Sequence, residues 1–244
     1  MKAHASVVAE RHRGRTRCTT LRSAPPITFR ATAGGLHLVG TAAGPVGGDD
    51  LSVEVTLASG AALTVRSVAA QLVLPSATPA VSSMRLIITV EAGASLRWIP
   101  EPTILVRGAD HRVSTTIELG PGAELMWRDE VVLGRHDESS GSLLQRLRVV
   151  QDGRPLLCTE VAFGPKWPTS DGPAGVGAGR VVASTLLVGS PARLALERAA
   201  GEAAQPVGSD SVRRAAFRLA GDAVLLSALG ADLDTTRVAL ARWP

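Results

Sequence analysis

Tyrosine is missing from this 244-residue sequence, and aromatic side chains make up only 3% of it. Stacking platforms for single-stranded nucleic acid are therefore scarce. The core is left to Val, Leu, Ile and Ala, for which a hydrophobic content of 45% is ample. Lysine is nearly absent as well, occurring only as Lys2 and Lys166, so arginine carries the positive side of a net charge of +4. Beside so much Ala and Gly, that preference reflects genome composition as readily as chemistry, and the charge alone names no partner. The first twenty residues lack the apolar run of a signal peptide, and no stretch approaches the ~20 apolar residues of a membrane-spanning helix, so a cytoplasmic location is expected. The two cysteines, Cys18 and Cys158, form no C-x-x-C pair. In a reducing compartment they are expected as buried small hydrophobes rather than a disulfide or metal site.

The signatures of common catalytic sites are missing too. There is no G-x-S-x-G elbow to present a serine nucleophile and no H-E-x-x-H pair to hold zinc. The Gly-rich stretch from Gly172 to Arg180 lacks the Lys and Ser or Thr that a phosphate loop needs after its last glycine, and it reads as part of a mobile surface loop between Gly164 and Gly179. The histidines (His4, His12, His37, His111, His136) are scattered singly, the pattern of surface side chains rather than of a closed ligand set.

What the sequence does contain is a repeated turn. Val53-x-Val55-x-Leu57 precedes Gly60-Ala61, Leu86-x-Ile88-x-Val90 precedes Gly93-Ala94, and Thr115-x-Ile117-x-Leu119 precedes Gly122-Ala123. Each glycine is followed three residues on by Leu63, Leu96 or Leu125, and two further on by Val65, Trp98 or Trp127. Spacing two is the strand period, so each unit reads as a β-hairpin with one buried face, and glycine supplies the positive φ that a short connection needs. The turns recur after 33 and 29 residues, which suggests stacked hairpins or solenoid-like layers, with Val150 to Leu156 around Gly153 as a degenerate fourth copy. Two short helices interrupt this pattern. The first runs from Ser190-Pro191 to Gly201, and the second from about Asp234 to Trp243 with Asp234 or Thr235 as its cap. The expected fold is all-β, in stacked hairpins or β-helix-like layered sheets, with two short helices near the C-terminus and one domain over 1–244.

Several segments, in order, resemble the urease accessory protein family UreD, also called UreH. They are Arg22-Ser23-Ala24-Pro25-Pro26, Gly47-Gly48-Asp49-Asp50-Leu51, Ser59-Gly60-Ala61-x-Leu63 with Ala69-Ala70-Gln71, Leu96-Arg97-Trp98-Ile99-Pro100-Glu101-Pro102-Thr103-Ile104, Leu133-Gly134-Arg135, and Asp152-Gly153-Arg154-Pro155-Leu156-Leu157 with Glu160. The resemblance implies a β-rich scaffold with two helices and no catalysis of its own. It implies binding to apo-urease and, through a UreF-like protein, to a UreG-like GTPase; neither nucleic acid nor a membrane is expected as a partner. It also implies that nickel is held only transiently, moving through an internal passage whose carboxylates let it leave again. Asp49 matches the family's Gly-Gly-Asp, Glu160 matches the acid after its Gly-x-Pro-Leu segment, and Asp129 stands where the family has Glu upstream of Leu-Gly-Arg. These three are the passage candidates implied. From the residues alone, Asp49 reads equally as the cap of a turn and Glu160 as an arginine's partner. The sequence departs from the family at His136 to Gly141, where Gly-Glu is common, and at Leu72-Val73, which replace a frequent Lys. The competing reading, from Arg11, Arg13, Arg15 and Arg17, is a basic nucleic-acid-binding β protein.

Overall fold

In the computed structural model, which describes residues 1–172, 175–201 and 212–241, strands follow one another almost without interruption. Two hairpins open the chain: β1 (Lys2–His12) with β2 (Arg15–Arg22), and β3 (Ile27–Thr32) with β4 (Gly35–Gly40). Three coils follow: β5 (Asp50–Leu57), β6 (Ala62–Ser67) and the short β7 (Gln71–Val73); then β8 (Ser82–Val90), β9 (Ser95–Trp98) and β10 (Thr103–Leu105); then β11 (Asp110–Leu119) and β12 (Glu124–Leu133). A further hairpin, β13 (Ser142–Gln151) and β14 (Arg154–Phe163), leads to β15 (Val181–Val188), α1 (Ser190–Gly201), β16 (Val212–Arg218), β17 (Ala223–Gly230) and α2 (Leu233–Ala241).

The strands on either side of each Gly-Ala turn do not pair with one another, so these units are arches and not the hairpins their spacing suggests. β5 pairs in parallel with β1 and β8, whereas β6 pairs in parallel with β4 and β9. The coils therefore stack into a layered solenoid of two sheets, one of seven strands in the order β14-β13-β11-β8-β5-β1-β2, the other of ten with β16-β17-β15-β12-β9-β6-β4-β3 as its path. The reason lies in burial. Strands on both sides of each turn bury an alternating apolar face, and Ala61, Ala94 and Ala123 inside the bends are themselves at most 1% exposed. The chain thus turns around a core instead of folding back beside itself. Equivalent residues form ladders: Leu63, Leu96 and Leu125 stack in register, as do Val55, Ile88, Ile117 and Val149 on the facing sheet. Each such side chain contributes about 1.5–3 kcal/mol by leaving water.

Gly60, Gly93 and Gly122 adopt φ of +70°, +63° and +66°, and the turns tie to one another through Gly60 N–H to Ala92 O and Gly93 N–H to Pro121 O. A Cβ on Gly93 meets only open space, so its conformation alone penalises substitution. Gly93→Ala is expected to lower unfolding free energy by about 1–2 kcal/mol in a denaturant titration. Ala94→Leu, forced into the closed bend, should cost more.

Other expectations need adjustment. Asp152-Gly153 is a true hairpin turn between β13 and β14, with φ of +50° and +73°, not a fourth arch. Cys18 and Cys158 are free and sit on β2 and β14, the two outermost strands of the seven-stranded sheet; Cys158 is exposed, unlike the buried hydrophobe expected. The 164–179 loop contains a short 3-10 turn, Pro168–Asp171, and is anchored by buried Val176, while Arg213 Nη2 donates to the carbonyls of Gly175 and Val176. The first helix begins at Ser190 as expected. The second is capped by Asp232, which accepts from Thr235 N–H at 2.9 Å and from its hydroxyl at 2.6 Å, not by Asp234 or Thr235; Trp243 lies outside the described residues.

Candidate functional site

Between the two sheets, at the end where β5, β8, β11 and β13 begin, side chains leave a cavity of about 280 Å³. Strand alternation decides what faces it. Along β12, Trp127, Asp129 and Val131 point inward, and all three line it. From the opposite sheet come Met84, His111, Val113, Thr115 and Gln145. Trp98 and Trp127, neighbours in parallel register, stack at 5.2 Å with their planes 9° apart and form one wall. The cavity reaches the surface at Val68 and Leu72, which line it and yet remain 58% and 40% exposed.

Two ionisable groups give this interior its chemistry. Asp129 is enclosed by protein but retains accessible surface because it faces the cavity. Burial pushes its pKa from 3.8 up to about 6; the hydrogen bond that Gln145 Nε2 donates across the sheets opposes the rise, and the charge of Glu130 adds to it. His111, 1% exposed, is held neutral: burial lowers its pKa from 6.5 to about 4 against the opposing influence of Ser82, whose Oγ is 2.8 Å from Nδ1, and of Asp110. It is therefore no surface histidine. Its position two, four and six residues before inward Val113, Thr115 and Ile117 was the available signal. Because the folded pKa of His111 lies below 6.5, its contribution to stability is present above pH 6.5 and is lost as pH falls toward 4. A series of denaturant titrations should show a decline of roughly 3 kcal/mol from this group over that window, and His111→Asn should flatten it.

The three passage candidates do not converge. Only Asp129 lines the cavity. Asp49, 8% exposed, lies 2.6 Å from the Met1 amino group through Oδ1 and accepts Val46 N–H at 2.9 Å through Oδ2. Burial would raise its pKa, but these two bonds outweigh it and hold the carboxyl below its ordinary range. It thereby fixes the turn whose Gly44 and Pro45 do line the cavity. Glu160 stands exposed on the outer face of β14 and pairs with Arg146. Among the described residues no cluster of three or more His, Cys, Asp or Glu is placed to hold a metal ion.

Beside the cavity, an unanticipated clamp joins three distant segments. Arg237 of α2 donates to both oxygens of buried Glu130 on β12, at 2.6–3.0 Å, and to Glu101 Oε2 at 2.9 Å. Glu101 belongs to the Pro100-Glu101-Pro102 segment after β9 and also lines the cavity. Arg128 Nε is buried without a hydrogen-bond partner among the described residues, 3.7 Å from Glu130 Oε1.

A family model described as UreD urease accessory protein matches residues 1–243. Among similar proteins, a urease accessory protein UreD of Parafrankia sp. (strain EAN1pec) is 39% identical over 95% of this chain and 84% of its own length. That of Frankia casuarinae is 37% identical over 95% of this chain and 77% of its own length, and that of Frankia alni 36% over 97% and 90%.

Proposed function

The chain belongs to the UreD family of urease accessory proteins, and from that premise we propose that it acts in urease maturation as a non-catalytic scaffold that binds apo-urease and UreF-like and UreG-like partners and passes nickel through its interior. The observation that carries this reading is the carboxylate of Asp129 facing a largely apolar cavity between the two sheets, with Glu101 and Arg128 also in its lining. A cation in transit needs a ligand strong enough to admit it and weak enough to release it. A carboxylate oxygen in a cavity also lined by the neutral imidazole of His111, with no cluster of three or more metal-ligating side chains among the described residues, meets that condition, since hard oxygen donors exchange readily and multidentate nitrogen and sulfur sets do not.

The ligand must be deprotonated to accept a cation. With a pKa near 6, Asp129 gives up its proton at neutral pH and regains it under mild acid. The stacked Trp98 and Trp127 rings form one wall of this cavity. Asp49 acts from outside it, by holding the turn at Gly44 and Pro45, and Glu160 serves the outer surface.

The scaffold role is tested by deleting the gene and by co-purifying the tagged chain with apo-urease and the UreF-like and UreG-like proteins. Expected are urease of normal abundance but little activity in the deletion strain, and a complex containing all the partners. Full urease activity without the chain would sink the proposal.

A further inference from the structure

One part of the solenoid's outer surface is basic without acidic neighbours on its own strands. On the seven-stranded sheet the signs are mixed, with Arg146 against Glu160 and His4 near Glu54. On the ten-stranded sheet, the adjacent strands β3, β4, β6 and β9 contain no acidic residue at all, and they carry Arg30, His37, Arg66 and Arg97. Strand register aligns the basic groups: Arg30 lies opposite His37, and His37 opposite Arg66, one row across three strands at a spacing of about 4.8 Å. Arg97 follows on β9, one residue pair along, opposite Thr64. Arg30, Arg66 and Arg97 are exposed and make no ion pair among the described residues.

Protection of a sheet edge accounts for Arg30, because β3 is the last strand. It does not account for Arg66 and Arg97, which sit on interior strands. Next to the row, the chain leaving β6 exposes Val68 and then Leu72 at the rim of the cavity. Arginines without counter-charges beside an exposed apolar rim, with no exposed aromatic ring on β3, β4, β6 or β9 for base stacking, have the composition of a protein–protein contact rather than of a nucleic-acid groove.

We infer that the outer face of β3, β4, β6 and β9, together with the Val68 to Leu72 rim, is the docking surface for a protein partner that presents a row of carboxylates to Arg30, His37, Arg66 and Arg97. The partner is thereby seated over the opening of the cavity, where a cation is handed over. This deepens the maturation reading and rests on it for the choice of proteins to assay.

The test compares the full-length wild type with R30E/R66E/R97E and with the milder R30S/R66S/R97S in binding to purified apo-urease and to the UreF-like protein, across a salt series. All three side chains are exposed, so thermal melts should be unchanged. For one of the two proteins, affinity is expected to fall roughly ten-fold with the serine variant and further with the glutamate variant, and the wild-type affinity should weaken as salt rises. A benzophenone label on Val68→Cys, placed in a Cys18→Ser/Cys158→Ser background because both native thiols are free, should cross-link to an acidic segment of the same protein. If the wild type binds and both variants bind equally well, the docking surface is wrong and the scaffold reading stands. Should the wild type bind neither protein, both fall. Binding of poly(dT) or duplex DNA that the variants lose, with protein binding intact, reassigns the face to nucleic acid and overturns the inference.

Discussion

Replacing Arg237 by alanine is expected to lower the unfolding free energy by about 3–5 kcal/mol, on the order of 10 °C in Tm for a chain of this length. The size follows from what remains. Glu130 has 1% side-chain exposure, and all three of its short ion-pair contacts come from Arg237; only Arg128 Nε, at 3.7 Å, stays near. A buried carboxylate without its partner costs far more than the intact pair contributes. In Arg237 itself, the bond to Glu130 raises the guanidinium pKa against the effect of burial, with Glu101 adding to it, so both carboxylates act on one group. Glu130→Ala should be similarly costly because it strands Arg237. Glu130→Leu combined with Arg237→Met should lose less than either alanine variant, since no buried charge is left behind. Thermal denaturation of the three variants checks this ordering. A loss under 1 kcal/mol for Arg237→Ala would show that α2 is held by its apolar contacts alone.

Asp129→Asn is expected to do two opposite things. Between pH 3.8 and about 6 the folded chain holds the Asp129 proton more tightly than the unfolded chain does, so stability falls as pH rises through that window. At neutral pH the ionised carboxylate is a burden of roughly 3 kcal/mol, which the neutral amide removes while it can still accept from Gln145. The variant should therefore melt higher than wild type at pH 7.5 and no higher at pH 3.5. It should also deliver nickel about ten-fold less well, a loss comparable to that caused by removing even a supporting partner at a metal site. A residue whose removal stabilises the fold and disables delivery is held there for function. Wild-type delivery should decline for the same reason as pH drops through 6.

Much of this was legible in the sequence. The period-two pattern around Gly60, Gly93 and Gly122 defines the strands and their inward residues, and it places Asp129 in phase with Trp127 and Val131. It cannot distinguish an arch from a hairpin, because the two share a local sequence and differ only in which neighbours satisfy the backbone. The small Ala after each glycine was the clue, since a hairpin tip has no need to keep that position closed. The same pattern marks His111 as inward, although a single histidine among scattered ones suggests a surface role. For Glu160 the phase is uninformative, because β14 is an edge strand lying beyond the cavity. The Glu101–Arg237–Glu130 clamp joins residues 136 and 107 positions apart, and nothing local announces a pairing of that range. At the last helix the sequence reading places the cap at Asp234 or Thr235, and the hydrogen bonds that Asp232 accepts from Thr235 put it earlier.

The nickel content of urease matured in a strain whose own copy of this gene is replaced by Asp129→Asn tests the passage most directly, with Asp49→Asn and Glu160→Gln strains alongside and co-purification confirming that each variant still assembles. The expected result is urease with about a tenth of its normal nickel for Asp129→Asn, an intermediate value for Asp49→Asn and full loading for Glu160→Gln. Full nickel loading by Asp129→Asn would contradict a route through this cavity.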